Sequence, residues 1–175
     1  MPVYDRGTQK MRSQMYIKNR FVSAGENLSI IANRMLDNDE LIKLLVRNDS
    51  GVREDETPVT DEEKSKAFKK NISTIPVTDK EINTETKIVL QIADIVPNET
   101  GLSYMIAFDI LCNIDIWNLE GYIQRPYAIM NELDQILSDT KIRSLGPATF
   151  IGATSLKINE RMLGYTMLFQ FSEVQ

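Results

Sequence analysis

The sequence predicts an α+β fold: a single, mainly antiparallel four-stranded sheet flanked by helices. Three patterns carry that expectation. Leu28, Ile31, Ala32 and Met35 recur at helical spacing near the start. Ile106, Phe108, Ile110, Cys112, Ile114 and Ile116 then alternate with Asp109, Asn113 and Asp115, holding period two for more than ten residues. A second helical stripe follows, and after it come two more alternating segments. One sheet carrying helices is the economical packing of that order.

The elements follow in chain order. Residues 1–20 have no sustained apolar period and read as an N-terminal arm awaiting a partner. Ser23-Ala24-Gly25-Glu26 fits a capping box and predicts a helix start at Ser23. Leu41, Leu44 and Leu45 form a second short apolar face. Asp39 and Glu40 stand at its start, where the helix dipole favours acids. Residues 21–47 are therefore helical.

Residues 48–86 read as a long extended insertion. Asp49-Ser50-Gly51 is turn chemistry, and Pro58 and Pro76 interrupt regular structure. Thr60-Asp61-Glu62-Glu63 is a second capping box, able to start a short polar helix through Lys70. A connector this long is either mobile or ordered by lying on a neighbouring subunit, and the second is the expectation.

Residues 87–175 form the β-hairpin, helix, β-hairpin core. A strand runs through Ile88, Leu90 and Ile92, then a turn at Pro97–Gly101, then the long alternating strand to Trp117. Strands so close in sequence pair antiparallel. Pro126 suits a first helical turn, and Ile129, Leu133, Ile136 and Leu137 supply the buried face behind it. Thr149–Ile158 is a third strand, with Gly152 marking a bulge or a close backbone approach, and Tyr165–Phe171 is the fourth. Met105, Leu111, Trp117 and Leu168 put apolar groups on the second side of the strands, a face that a neighbour can cover.

Composition narrows the chemistry. The chain has 175 residues, 42% of them apolar, no His and a single Cys. Lack of His removes the commonest general base and transition-metal ligand. One Cys makes no internal disulfide and no Cys-pair zinc site. No GxGxxG, Walker or GxSxG motif occurs. No catalytic, cofactor or metal residue is assigned, and the chain reads as a non-enzyme without cofactors. Cys112 reads as a small buried hydrophobe. Asp109 and Asp115 lie too far apart along a strand to share one ion without other ligands. They read as acids facing water or a subunit.

Charge is uneven. Arg6, Lys10, Arg12, Lys18 and Arg20 stand against Asp5 alone, giving the arm a local +4 within a chain of net charge −5. Residues 49–63 carry seven acids against one base, and residues 87–175 carry ten against six. The arm reads as a solvated or subunit-contacting segment, with nucleic-acid contact as the alternative. The opening lacks the apolar run of a signal peptide, and no segment is apolar enough for a membrane helix. The expected compartment is a cytosol or a particle assembled there.

The segments Phe21–Leu45, Tyr104–Trp117 and Tyr127–Leu137, with the ending Gly164-Tyr165-Thr166-Met167-Leu168-Phe169-Gln170-Phe171, resemble the tail-terminator and tail-completion (neck) proteins of long-tailed bacteriophages. That resemblance implies a structural virion protein of the tail or neck, assembled in the host cytoplasm. It implies a homo-oligomeric ring, usually of six copies, that caps the tail tube and joins it to the head. Its implied partners are the tail tube protein, a neck or head-completion protein, in a contractile tail the tail sheath, and the genomic DNA passing through the lumen. Asp109 and Asp115 are then candidate lumen or interface acids, and the five cations of residues 1–20 a candidate subunit-contact arm. The alternatives are another phage neck or head-completion protein and a small soluble binding module whose basic arm contacts nucleic acid. A carboxylate- or metal-dependent enzyme working through Asp109 and Asp115 is a third reading, placed well behind these.

Overall fold

The computed structural model describes residues 6–75, 85–97, 102–138 and 145–172, with side chains from Phe21 onward. Its architecture is α+β with one five-stranded sheet in the order β1-β2-β3-β5-β4. The strands are β1 (Ile72–Ser73), β2 (Lys87–Pro97), β3 (Leu102–Asn113), β4 (Thr149–Lys157) and β5 (Met162–Ser172). The β2-β3 and β4-β5 hairpins are antiparallel, as the sequence predicts, and β3 also pairs antiparallel with β5. The expected four-strand sheet needs correction, because β1 adds a fifth strand and pairs with β2 in parallel. Its two residues are too few to show a period.

Helix α1 spans Arg6–Met35, α2 Asp39–Val46, α3 Asp61–Lys66 and α4 Arg125–Ser138. The backbone of α1 is helical from Arg6, so Ser23 lies mid-helix rather than at a helix start. Helix-favouring Gln, Lys, Met and Arg between 9 and 20 let an apolar-striped helix extend backward without a stripe of its own. Helix α2 starts where its acids predict. Asn38 Oδ1 accepts from the Leu41 N–H at 2.8 Å as its N-cap.

The core lies on one face of the sheet. Ala24, Leu28, Ile31, Ala32 and Met35 of α1, Leu41, Leu44 and Leu45 of α2, and Ala128, Ile129, Leu133 and Leu137 of α4 all belong to it. They meet Ile88 and Leu90 of β2, Tyr104, Ile106, Phe108, Ile110 and Cys112 of β3, and Phe169 and Phe171 of β5. Registers Leu90↔Phe108, Ile106↔Phe169 and Tyr104↔Phe171 set these side chains on one face. Phe108 and Phe169 meet edge to face at 5.6 Å. Burying each such ring contributes about 1.5–3 kcal/mol.

The insertion is more structured than its composition suggests. The Thr60 capping box forms as predicted, with the Glu63 N–H on Thr60 Oγ1 at 3.2 Å and the Thr60 N–H on Glu63 Oε2 at 2.9 Å. A π-helical turn at Ala67–Asn71 then leads into β1. Val52, Ala67 and Asn71 are buried within the chain itself. Arg47 accounts for much of this order. Its guanidinium meets Asp55 at 2.6 Å and Glu63 at 2.8 Å, and also reaches the Thr57 and Pro58 carbonyls. The hydrogen bonds from Arg47 hold the Glu63 carboxyl down to about 2, and the Thr60 backbone N–H adds to the effect. The expected break at Pro76 lies outside the described residues, as does the Pro97–Gly101 turn beyond Pro97.

The long strand is shorter than the alternation implies. Strand β3 ends at Asn113, and Ile114–Ile116 form a 3-10 turn. Asn113 Oδ1 accepts from the Asp115 N–H at 2.8 Å, so the amide folds back to cap the turn. The predicted bulge near Gly152 is present, with the β4-β5 register shifting between Phe150 and Gly152. Gly164 explains its own identity, since a Cβ there would run into the Ile110 carbonyl of β3.

Candidate functional site

The helices that pack on the sheet leave its second face to the strands' other side chains. Across the middle of that face runs a polar row. Gln91 Nε2 donates to Asp109 Oδ2 at 2.9 Å, and Thr166 Oγ1 donates to Asp109 Oδ1 at 2.5 Å. Thr154 stands beside Thr166 in register, extending the row to β4. Asp109 thus accepts from both flanking strands and is half-buried, as a polar strand-face residue should be. Met105 and Leu168 are half-buried beside the row, and Leu111 is buried, matching the expected apolar load. Trp117 lies beyond the strand and packs against the helical side instead.

Asp115 is elsewhere. It sits in the 3-10 turn and pairs with Arg161 of the β4-β5 loop at 2.5 Å, both side chains being more than half exposed. The fold therefore places the two candidate acids in separate settings, one in a strand row and one in a surface ion pair. Arg6, Lys10, Arg12, Lys18 and Arg20 all lie in the first half of α1, and their side chains are outside the described residues.

The most constrained polar residue is one that sequence reasoning passed over. Arg125 is fully buried at the start of α4; the nearby Asp49 charge favours it, but the hydrogen bonds of its guanidinium go to backbone. Its guanidinium donates to four backbone carbonyls: Nε to Ile116 at 2.9 Å, Nη1 to Leu44 at 2.7 Å and Arg47 at 2.8 Å, and Nη2 to Asp49 at 2.8 Å. Leu44 and Arg47 bracket the end of α2, where the helix dipole is negative and suits a cation. Burial pushes the guanidinium down from its ordinary value. One sequence signal was present. Arg125 stands directly before Pro126 at a helix start, a position whose dipole disfavours a cation and so asks for another reason.

Cys112 is buried as expected, and burial pushes its thiol up to about 12, outweighing the nearby Arg125. A thiol so disposed is not a nucleophile at neutral pH. Among the described residues, no group of three or more acids and Cys converges on a metal position. Among the described residues no helix is long and apolar enough to cross a membrane.

Several large apolar groups are exposed, though Phe150 still meets the core ring of Phe169 edge to face at 5.5 Å. Phe150 and Ile151 on β4 are nearly half exposed, and Tyr122 is fully exposed with a left-handed backbone, φ 63°. Tyr127 and Tyr165 share a hydroxyl hydrogen bond of 2.5 Å that ties α4 to β5.

Residues 38–171, from the cap of α2 to the end of β5, match the YomW family. The chain belongs to the YomW family. The YomW name is of phage SPbeta type and suggests a phage-related protein. The YomW match covers α2, the insertion, the sheet and α4, and leaves out the whole of α1. No curated protein and no solved structure matches the chain.

Proposed function

We propose that this chain is a structural virion protein of a phage tail or neck, non-enzymatic, whose copies close into a ring of six that caps the tail tube and joins it to the head. The observation that carries the reading is the order of the fold in a phage-type family. A long hairpin β2-β3, the helix α4 and a second hairpin β4-β5 follow amphipathic helices, and Gly164–Phe171 closes the sheet. That order is the one the tail-terminator resemblance implies. The polar chemistry of the chain also fits a mechanical role, because Arg125 and Arg47 are occupied in holding backbone and acids in place. In this reading Asp109 and Asp115 face the lumen or a subunit, where negative charge lets DNA pass without sticking. The tube protein, a neck protein and, in a contractile tail, the sheath are its partners.

The test is direct. Full-length chain is examined by mass photometry and negative-stain imaging, alone and mixed with tail tubes. Rings of six at tube ends are expected, and a strict monomer under both conditions rejects the reading.

A second reading rests on the five cations gathered in the first half of α1. It makes the chain a binding module whose basic helix contacts nucleic acid. It expects DNA binding that weakens steeply with salt and disappears when residues 1–20 are deleted. DNA binding unchanged by the deletion removes the helix from that role.

A further inference from the structure

The loop between β3 and α4 is tied at its base and strained at its tip. Asn118 bridges Gln124, the Leu119 N–H donates to the Ile123 carbonyl at 2.8 Å, and the Arg125 N–H donates to the Trp117 carbonyl at 2.7 Å. The Glu120 N–H is held by the Ser50 carbonyl at 2.9 Å, and the Glu120 carboxylate takes the Ser50 hydroxyl at 3.4 Å. At the tip, Gly121 and Tyr122 both have left-handed backbone, φ 76° and 63°. Gly adopts that conformation freely, whereas a bulky side chain resists it. The Tyr122 ring is fully exposed, so the chain gains no packing in return. Strain kept without an internal contact points to a contact outside the chain.

A cleft of about 240 Å³ opens near the other end of the sheet. Val96, Pro97 and Met105 line it with apolar surface, and Asp94, Ser103 and Gln170 line it with polar atoms. Its volume lies below the roughly 300–1,000 Å³ of small-molecule pockets and suits a single side chain. Met105 offers its sulfur to an aromatic ring. Ser103 and Met105 open β3 and the Tyr122 loop follows its end, so tip and cleft lie roughly 30 Å apart along the strand. They cannot meet within one chain.

We infer that Tyr122 of each copy seats in this cleft of the next copy, so that every chain carries both halves of a head-to-tail joint. The ring meets Val96, Pro97 and Met105, and the hydroxyl donates to acceptor oxygens of Asp94 or Gln170. A knob and a matching hole on one chain select a second copy as the occupant. The hydroxyl selects Tyr122 among the exposed rings. Tyr127, the other exposed tyrosine among the described residues, has its hydroxyl on Tyr165, and Phe68 and Phe150 have none. Residues 117–124 contain no Lys or Arg, so the loop has no cation to hold phosphates beside a stacked base. A joint between two different patches is heterologous, and its repetition closes a ring whose two faces differ. The inference rests on the assembly reading and deepens it by naming the contact.

The experiment compares full-length chain with Tyr122→Asn, which tolerates a left-handed backbone, and with Val96→Trp, which fills the cleft from a half-exposed position. In sedimentation velocity both should weaken assembly at least tenfold, as loss of an anchoring residue does. At monomeric concentrations the Tyr122→Asn chain should melt no lower than the unaltered chain. Copies carrying Tyr122→Cys, mixed with copies carrying Val96→Cys, should be bridged into heterodimers by a short bis-maleimide, because Cys112 is buried and stays out of reach. An assembly that either variant leaves unchanged overturns the joint, and so does failure of the mixed copies to bridge. The ring reading survives both results. Rings that form normally in Tyr122→Asn but no longer bind tail tubes assign Tyr122 to the tube protein and also overturn the joint. A monomer at all concentrations, with or without tail tubes, rejects joint and ring together. If a variant fails to fold, the bridging result decides.

Discussion

Arg125 Nη1 donates to the Leu44 carbonyl at 2.7 Å, joining the start of α4 to the last turn of α2 across 81 positions of sequence. Three further carbonyls, from Ile116, Arg47 and Asp49, complete the set. Replacing Arg125 by Met keeps much of the bulk but strands four acceptors that the fold has removed from water. The expected loss is about 3 kcal/mol or more. Arg125→Lys should also be costly, because an ammonium lacks the planar fork that reaches several directions at once. Urea unfolding checks both. An unchanged midpoint in Arg125→Met would show that the carbonyls find other partners.

Acid should loosen the chain through Glu63. Its folded carboxyl is held at about 2 against 4.5 for an unperturbed Glu. The stabilisation is present in full above about 4.5 and is lost as pH falls toward 2, because only the unfolded chain takes up the proton easily. Glu63→Gln should therefore lower stability at pH 7 and flatten its fall between pH 5 and 2.5. Urea midpoints across that range, in both proteins, measure it. Equal slopes would place the acid response elsewhere.

Gly164→Ala should be among the most damaging single changes. Its added carbon meets the Ile110 backbone carbonyl, which cannot step aside without opening the β3-β5 ladder. A cost of several kcal/mol, or failure to fold, is the outcome expected of overpacking against main chain. Thermal unfolding of the purified variant gives the answer, and a melting temperature near that of the parent contradicts it.

Cys112 should resist iodoacetamide in the folded protein and react once urea unfolds it, since it is buried and its thiol is pushed up to about 12. Intact-mass spectrometry reads the adduct. Rapid labelling under native conditions would mean that the core opens far more often than its packing implies.

Legibility in the sequence followed periodicity. Helix faces at Leu28–Met35 and Ile129–Leu137, the two hairpins, the Thr60 box and the bulge by Gly152 all declare themselves through spacing or turn chemistry. What escaped has no period. Strand β1 is two residues that join the sheet only because β2 offers a parallel edge. Alternation ran past the end of β3 because Ile114 and Ile116 keep the pattern while Asn113 caps a 3-10 turn. The start of α1 depends on propensity rather than on a stripe, and so lies well ahead of the Ser23 capping pattern. Arg125 could be seen only once α2, the loop after it and the 3-10 turn met around one side chain. The candidate acids were legible as surface carboxylates, but their different neighbours, Gln91 and Thr166 for one and Arg161 for the other, were not.

Strand β5 is the last element in the chain's order, yet it lies between β3 and β4. A ribosome therefore delivers β3 and β4 before the strand that joins them. Until residues 162–172 emerge, the emerging chain holds a hairpin and a lone strand with matching vacancies, and its sheet closes by insertion rather than by adding strands in turn. Such late, long-range closure favours folding after synthesis, and it gives chaperones a window in which the same vacancies are open to other nascent copies.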